Sequence, residues 1–210
     1  MINYSLLRDC EYQELAKLTL NGQVLDLGGS KISKYHSLFK GEHKILVGNI
    51  DENYGMDFYL DVEKKFEITN NSFEAVLAIN LLEHVYNYQN VLWESYRILK
   101  NNGLLIVVVP YLLNIHNCPS DYFRYTRAGL QNILREAGFK NIEIKELGTG
   151  VFSVIYQLSI GFLKFLGPLT QLFKWLFVFL DKLLSLIKKD SFLSNKYMPL
   201  GYIVKAYKIE

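Results

Sequence analysis

Two cysteines in 210 residues, Cys10 and Cys118, are too few and too unpatterned for a disulfide framework or a cysteine-rich zinc site, and they point to a reducing compartment. The first dozen residues hold acids but no apolar core, so no export signal is read there and a cytoplasmic setting is expected. Excess charge is also missing: a formal net charge of +2 argues against a chain that grips nucleic acid electrostatically. No Gly-x-Gly-x-x-Gly stretch occurs, and no tyrosine–lysine pair stands at a convincing spacing, which disfavours a nicotinamide or nucleotide-sugar enzyme. Nor is there an uninterrupted apolar run long enough to span a bilayer, because Lys164, Lys174, Asp181 and Lys182 break the most apolar region.

What remains is a chain of one-domain size with an uneven charge distribution. From residue 151 onward eight lysines face three acids, a net +5, which leaves −3 for residues 1–150. The acidic part carries the glycines that matter. In Val24-Leu-Asp-Leu-Gly-Gly-Ser30, three apolar residues surround one carboxylate, Asp26, and the pair Gly28-Gly29 permits backbone geometry and a close approach that side chains would block. Such a turn either ends a strand and opens a helix over the carboxyl edge of a parallel sheet, where ligands bind, or is an ordinary tight connection.

The rest of residues 1–150 reads as alternating helices and strands. Residues 6–18 suit a short amphipathic helix without visible chemistry, 32–38 a modest helix, and 44–48 the second strand. Asn49 and Asp51 follow that strand about twenty residues beyond the glycines, the place where nucleotide-binding folds hold ribose hydroxyls. Residues 58–62 form a third short strand ending at Asp61 and Val62, and residues 75–79 a strongly apolar fourth that runs into Asn80-Leu-Leu-Glu-His84. Residues 88–100 make a helix, capped at Asn101-Asn-Gly103 by a glycine in left-handed geometry. Residues 104–110 are apolar on both faces and belong at the centre of a covered sheet. A polar, aromatic loop over 111–125 contains His116, Asp121 and Arg124; Thr126 caps a helix over 128–137 that stops at Gly138. Residues 140–147 and 201–208 alternate as strands, the last at the sheet edge.

Taken in order, these segments resemble the class I S-adenosylmethionine-dependent methyltransferases of small-molecule type. Residues 24–30 resemble the hydrophobic-Asp-x-Gly-x-Gly motif; Asn70-Asn-Ser-Phe-Glu-Ala-Val-Leu with Leu81-Leu-Glu-His-Val resembles the fourth-strand signature; Ile98-Leu-Lys-Asn-Asn-Gly-Leu-Leu resembles the Leu-Lys-Pro-Gly-Gly turn; and Asp121-Tyr-Phe-Arg-Tyr-Thr126 resembles a subgroup's Asp-Tyr-Phe-Arg-Phe-Thr. The resemblance implies a doubly wound, Rossmann-like α/β domain over residues 1–210, with seven strands and an antiparallel last strand. It implies S-adenosylmethionine as cofactor, held by Asp26, Gly28 and Gly29 at the turn, Asn49 and Asp51 at the ribose, Asp61 and Val62 at the adenine, and Asn80 beneath the methyl group. His84, His116 and Asp121 are the titratable groups expected to reach an acceptor hydroxyl, although His84 also suits a strand end and Asp121 an ion pair with Arg124. Two positions depart from the pattern. Ser30 replaces a glycine, and Asn49 lacks the charge of the usual acid, both of which also fit a binding protein that keeps the sheet without the reaction.

Residues 151–189 form a mostly apolar insertion before the last strand, expected as a helical hairpin broken at Gly167-Pro168. In its second half Thr170, Lys174, Asp181, Ser185 and Lys188 recur at helical spacing, opposite a broad face of Leu172, Phe173, Leu176, Phe179, Leu180, Leu183 and Ile187; Ser153, Gln157 and Lys164 trace a narrower stripe in the first. Such a face packs on the sheet, meets a second copy of the chain in a homodimer, or lies in a membrane headgroup region. Trp175, the phenylalanines and lysines without matching acids favour the membrane, with residues 151–190 as a peripheral contact that brings a small-molecule, glycan or lipid-linked acceptor to the crevice.

Overall fold

Alternate residues of the two most apolar strands feed two different cores, which places these strands at the centre of the molecule. The computed structural model describes residues 5–187 and 192–209. It holds β1 (Gly22–Leu27), β2 (His43–Asn49), β3 (Phe58–Tyr59), β4 (Phe73–Ile79), β5 (Leu99–Pro110), β6 (Lys140–Leu147) and β7 (Gly201–Tyr207) in one sheet of order β3-β2-β1-β4-β5-β7-β6. Val76, Ala78, Leu105, Val107 and Val109 enter the core under helices α2 (Tyr88–Ile98) and α3 (Arg127–Glu136). Ala75, Leu77, Ile79, Ile106 and Val108 enter the opposite core, under α1 (Leu6–Leu15) and the hairpin of α4 (Val151–Leu163) and α5 (Leu169–Ile187). Each fully buried Val, Leu or Ile of this kind stabilises the fold by about 1.5–3 kcal/mol before entropy is counted.

β1 to β5 pair in parallel, and β7 runs antiparallel to both β5 and β6. The doubly wound, seven-stranded sheet with an antiparallel last strand is therefore as expected. Its position is not: β7 lies inside the sheet and β6 forms the edge. Three local expectations also change. Helix α2 ends at Ile98 and the chain passes directly into β5, with Asn102, not Gly103, in left-handed geometry at φ +61°. Gly103 serves close approach instead, since a Cβ there would lie 2.7 Å from the Lys100 carbonyl. The third strand is only two residues long and stops short of Asp61 and Val62.

The hairpin turns its polar stripe toward the protein and its broad apolar face outward, which excludes the alternative that the broad face packs on the sheet. Thr170 (0% exposed), Lys174 (7%) and Asp181 (3%) are buried, while Leu172 (65%), Trp175 (69%) and Leu186 (83%) face outward. Buried polar groups must be bonded, and these are. Asp181 accepts from the backbone N–H groups of Phe152 (2.9 Å) and Ser153 (2.8 Å) and from the Thr149 hydroxyl (2.7 Å), capping α4 from a helix thirty residues away. Gln157 accepts from the Leu6 and Leu7 N–H groups at the start of α1, and Lys174 pairs with Asp9 at 2.7 Å. Tyr156, Val154 and part of Phe173 and Phe177 complete the apolar seat. The periodicity separates most of the two faces, with Phe173 of the broad face packing on the core, and the polar stripe is the one that faces the protein. Ser185 is exposed, and Lys188 lies outside the described residues.

Candidate functional site

In a parallel sheet a crevice opens where the strand order reverses, and here that point lies between β1 and β4. β1 ends at Asp26-Leu27 and turns through Gly28, whose φ of +70° lies in the left-handed region that favours glycine. Gly29 is required for a different reason: a Cβ there would stand 1.9 Å from the Asp26 Oδ2. No α-helix follows the glycines, contrary to expectation. The chain instead makes a short 3-10 turn over Lys34–Leu38, from which the Tyr35 hydroxyl (2.6 Å) and His36 Nε2 (2.7 Å) reach back to Asp26 Oδ2. These bonds, and the tie of the Ser30 hydroxyl to the Tyr54 carbonyl, hold the loop against the strand ends.

Asp26 is fully buried; burial pushes its pKa up, against the bonds from His36 and Tyr35. Its second oxygen, Oδ1, has no hydrogen-bond partner, an arrangement that suits an incoming donor such as an ammonium group. Asn49 donates to the Gly28 (3.0 Å) and Gly29 (2.7 Å) carbonyls and accepts from the Asp51 N–H (3.0 Å), so its whole amide group holds the turn in shape. Asp51 bonds Asn53 through one oxygen only. Asp61 pairs with Lys64, and Val62 packs against the α2-side core.

Across the crevice, Asn80 ends β4 in left-handed geometry and donates to Glu11 Oε2 at 3.3 Å. Helix α1, which showed no chemistry in the sequence, thus delivers a buried carboxyl to the crevice floor. Burial raises the Glu11 pKa to about 6, with Arg8 opposing. An acid raised in the folded state binds its proton more tightly there than in the unfolded chain, so its contribution to stability falls as pH rises between about 4.5 and 6. Glu11→Gln is therefore expected to gain about 2 kcal/mol of stability at pH 7.5 and little at about pH 4.5. Chemical denaturation at both pH values measures this, and an equal effect at both would contradict it.

Next to Asn80, Glu83 is fully buried with neither carboxylate oxygen hydrogen-bonded, and burial raises its pKa to about 8. His84 donates through Nδ1 to the Ser120 carbonyl (2.5 Å), which leaves Nε2 as the lone-pair nitrogen, 3.7 Å from Glu83. The loop over 111–125 folds onto this turn: the Tyr122 N–H bonds the Glu83 carbonyl (2.7 Å) and the Tyr125 hydroxyl the Leu82 carbonyl (3.1 Å). His116 meets His84 edge-on at 5.0 Å. Asp121 forms a two-pronged pair with Arg124 and accepts from the His116 N–H (3.0 Å); the guanidinium holds its pKa down to about 2, a weak base at neutral pH. Of the sequence-predicted residues, Asp26, Gly28, Gly29, Asn49 and Asp51 lie at the ends of β1 and β2, and Asn80, His84, His116 and Asp121 at the end of β4 and the loop folded on it. Asp61 and Val62 lie beyond β3, with no hydrogen bond or ion pair to either group among the described residues. Glu11 was missed because its partner Asn80 lies 69 residues along the chain, and Tyr35 and His36 because the segment after the glycines read as a helix, which would not turn both toward Asp26; the Glu83 carboxylate was legible beside His84.

Residues 48–107 match the family model described as a methyltransferase domain. An uncharacterized protein of Methanocaldococcus jannaschii is 35% identical over 101 residues, which cover 45% of this chain and 36% of that protein. Phosphoethanolamine N-methyltransferase 2 of Haemonchus contortus, solved with S-adenosyl-L-methionine, superposes with a TM-score of 0.61 at 16% identity, over 95% of this chain and 52% of that one. The [4+2]-cyclase SpnF superposes with a TM-score of 0.64 at 16% identity, over 96% and 81%. The chain thus spans about half or less of the first two. Among the three, one solved protein is a methyltransferase and another a cyclase, so the sheet alone does not name the reaction. The ordered motifs and the strand order agree on the architecture: this chain has the fold of the class I S-adenosylmethionine-dependent methyltransferases.

Proposed function

We propose that the protein transfers the methyl group of S-adenosylmethionine to a small-molecule, glycan or lipid-linked acceptor presented at a membrane surface. The observation that carries this reading is the juxtaposition of the Gly28-Gly29 turn and Asn80 at the reversal of strand order, with the unbonded Asp26 Oδ1 under the turn. The residues present fit the cofactor: the glycine backbone would take the methionine moiety, Asp26 its ammonium, Asp51 the ribose, Asp61 and Val62 the adenine, and Asn80 the floor beneath the sulfonium. Asn49 acts at one remove, by holding the two glycine carbonyls and the Asp51 N–H. When bound, the sulfonium supplies an electrophilic methyl group with a neutral leaving group. The protein's own part is positioning, exclusion of water and removal of a proton from the acceptor. We assign that removal to His84 Nε2 or His116, with Asp121 and Arg124 setting the loop that carries His116.

The outward apolar face of the hairpin supports the membrane part. No helix among the described residues is long and apolar enough to cross a membrane, so the contact would be interfacial. Because Gln157 holds the start of α1, and α1 carries Glu11 to Asn80, the hairpin and crevice are mechanically joined. Incubating the full chain with methyl-labelled S-adenosylmethionine, vesicles of total membrane lipid and a water-soluble extract tests the reading. Label is expected in lipid recovered from the organic phase; label only in a water-soluble product separated from unreacted S-adenosylmethionine would overturn the membrane acceptor, and label found only in unreacted S-adenosylmethionine would favour a binding protein without the reaction.

A further inference from the structure

We infer that Glu83, His84 and His116 form a binding site for a divalent transition-metal ion on the acceptor side of the crevice. Candidate ligand atoms of all three residues lie within 4.8 Å of one another. Two histidines and one carboxylate are a ligand set that such ions use with positions left open for a substrate.

Two features point to an ion, and a third supports the second. Glu83 is fully buried, yet neither oxygen accepts a hydrogen bond, so the side chain is desolvated without compensation. An ion would supply that compensation. Second, each histidine already has its Nδ1 facing an acceptor: that of His84 bonds the Ser120 carbonyl at 2.5 Å, and that of His116 lies 3.2 Å from the Asn114 carbonyl and 3.5 Å from Asp121 Oδ2. A metal-ligating histidine is oriented in this way, with the outer nitrogen donating to a carbonyl or carboxylate and Nε2 left for the ion. Third, Asp121 is fixed by Arg124, so the orienting carboxylate beside His116 is itself held in place.

With ligands at about 2.1 Å from the ion, neighbouring ligand atoms stand roughly 3.4 Å apart, so the three groups need to close by about 1 Å. Glu83 and His84 belong to the tight turn after β4, whereas His116 sits on a partly exposed loop. His116 is therefore the ligand that moves. The open positions would take an oxygen or nitrogen of the acceptor and lower its pKa by coordination, so that in a metal-loaded enzyme the acceptor proton would pass to solvent water and not to His84 or His116, whose Nε2 lone pairs the ion would hold. This deepens the acceptor side of the methyl-transfer reading, but binding of the ion does not depend on it.

Cobalt(II) added to the chelator-stripped full chain, without S-adenosylmethionine, is the direct test, followed by visible absorption, with calorimetry of Zn²⁺ and Mn²⁺ alongside. One equivalent is expected to saturate with intense tetrahedral or five-coordinate bands, and Glu83→Gln and His116→Ala are each expected to weaken binding roughly tenfold or more. Circular dichroism of His116→Ala, an exposed-loop change, keeps loss of a ligand distinct from loss of fold. Absence of saturable binding up to about 1 mM metal, or unchanged affinity in both folded variants, would overturn the site. A separate titration of S-adenosylmethionine on the same preparations distinguishes failure of this site from failure of the cofactor reading.

Discussion

Gly29→Ala is expected to reduce affinity for S-adenosylmethionine roughly tenfold or more and to destabilise the fold by about 3 kcal/mol, the upper part of the range for overpacking a buried site. The backbone at Gly29 is not left-handed, so the effect is purely one of space. The new methyl would stand 1.9 Å from Asp26 Oδ2, the oxygen that Tyr35 and His36 both hold. Either the carboxylate rotates and loses two buried hydrogen bonds, or the turn lifts away from the sheet and takes the Asn49 contacts with it. Both outcomes spoil the surface against which the methionine moiety would lie. Alanine at the exposed Gly161 of helix α4, where an added Cβ meets nothing within 4 Å, is the control: it should leave cofactor affinity unchanged and, as a helix-interior glycine replaced, raise stability by up to about 1 kcal/mol instead of lowering it. Thermal unfolding and calorimetry together check this, and a variant with unaltered cofactor affinity would remove the turn from the binding site.

Exchanging Leu172, Trp175, Phe179 and Leu183 together for serine or glutamine is expected to lower partitioning onto anionic vesicles at least about 100-fold, from area burial of roughly 25 cal/mol per Å² summed over four large side chains. The same change should leave the unfolding midpoint nearly unmoved. These four residues face outward, whereas the contacts that seat the hairpin are the buried Asp181, Gln157 and Lys174 and the apolar residues around Tyr156. Asp181→Ala makes the opposite comparison: it leaves the backbone N–H groups of Phe152 and Ser153 without a partner, and should destabilise the hairpin while the outer face is unaltered. Vesicle co-sedimentation and sedimentation equilibrium separate the occupants of the outer face. A wild-type chain that dimerises without lipid and ignores vesicles would assign that face to a second copy instead.

The sheet was legible because its central strands are buried on both sides, which leaves apolar runs such as residues 75–79 and 104–110 with no other place to go. The position of the last strand was not, since alternation in residues 201–208 reports one covered face but says nothing about which neighbours lie to either side. The hairpin shows the same limit. Helical spacing told which side chains share a face, but the choice of face turned on Asp181 meeting the start of α4, and on Gln157 meeting the start of α1 about 150 residues away. At the crevice the glycines and Asn80 were readable as a strand-end pattern. The polar network around them was not: Glu11 with Asn80, Asn49 with Gly28 and Gly29, and His36 with Asp26 are joined through the fold and leave no local periodic trace. The helix expected after the glycines failed for this reason, because Tyr35 and His36 turn inward to a buried carboxylate that helical geometry would have left alone.

The central claim is that the crevice between β1 and β4 takes S-adenosylmethionine, and direct calorimetric titration of the full chain with this cofactor and with S-adenosylhomocysteine tests it most closely. The account predicts saturable binding of both, one molecule per chain, each lost or strongly weakened in Gly29→Ala and neither displaced by a nicotinamide dinucleotide. Absence of binding by either ligand at about millimolar concentration, to a chain whose fold is intact by circular dichroism, would contradict it.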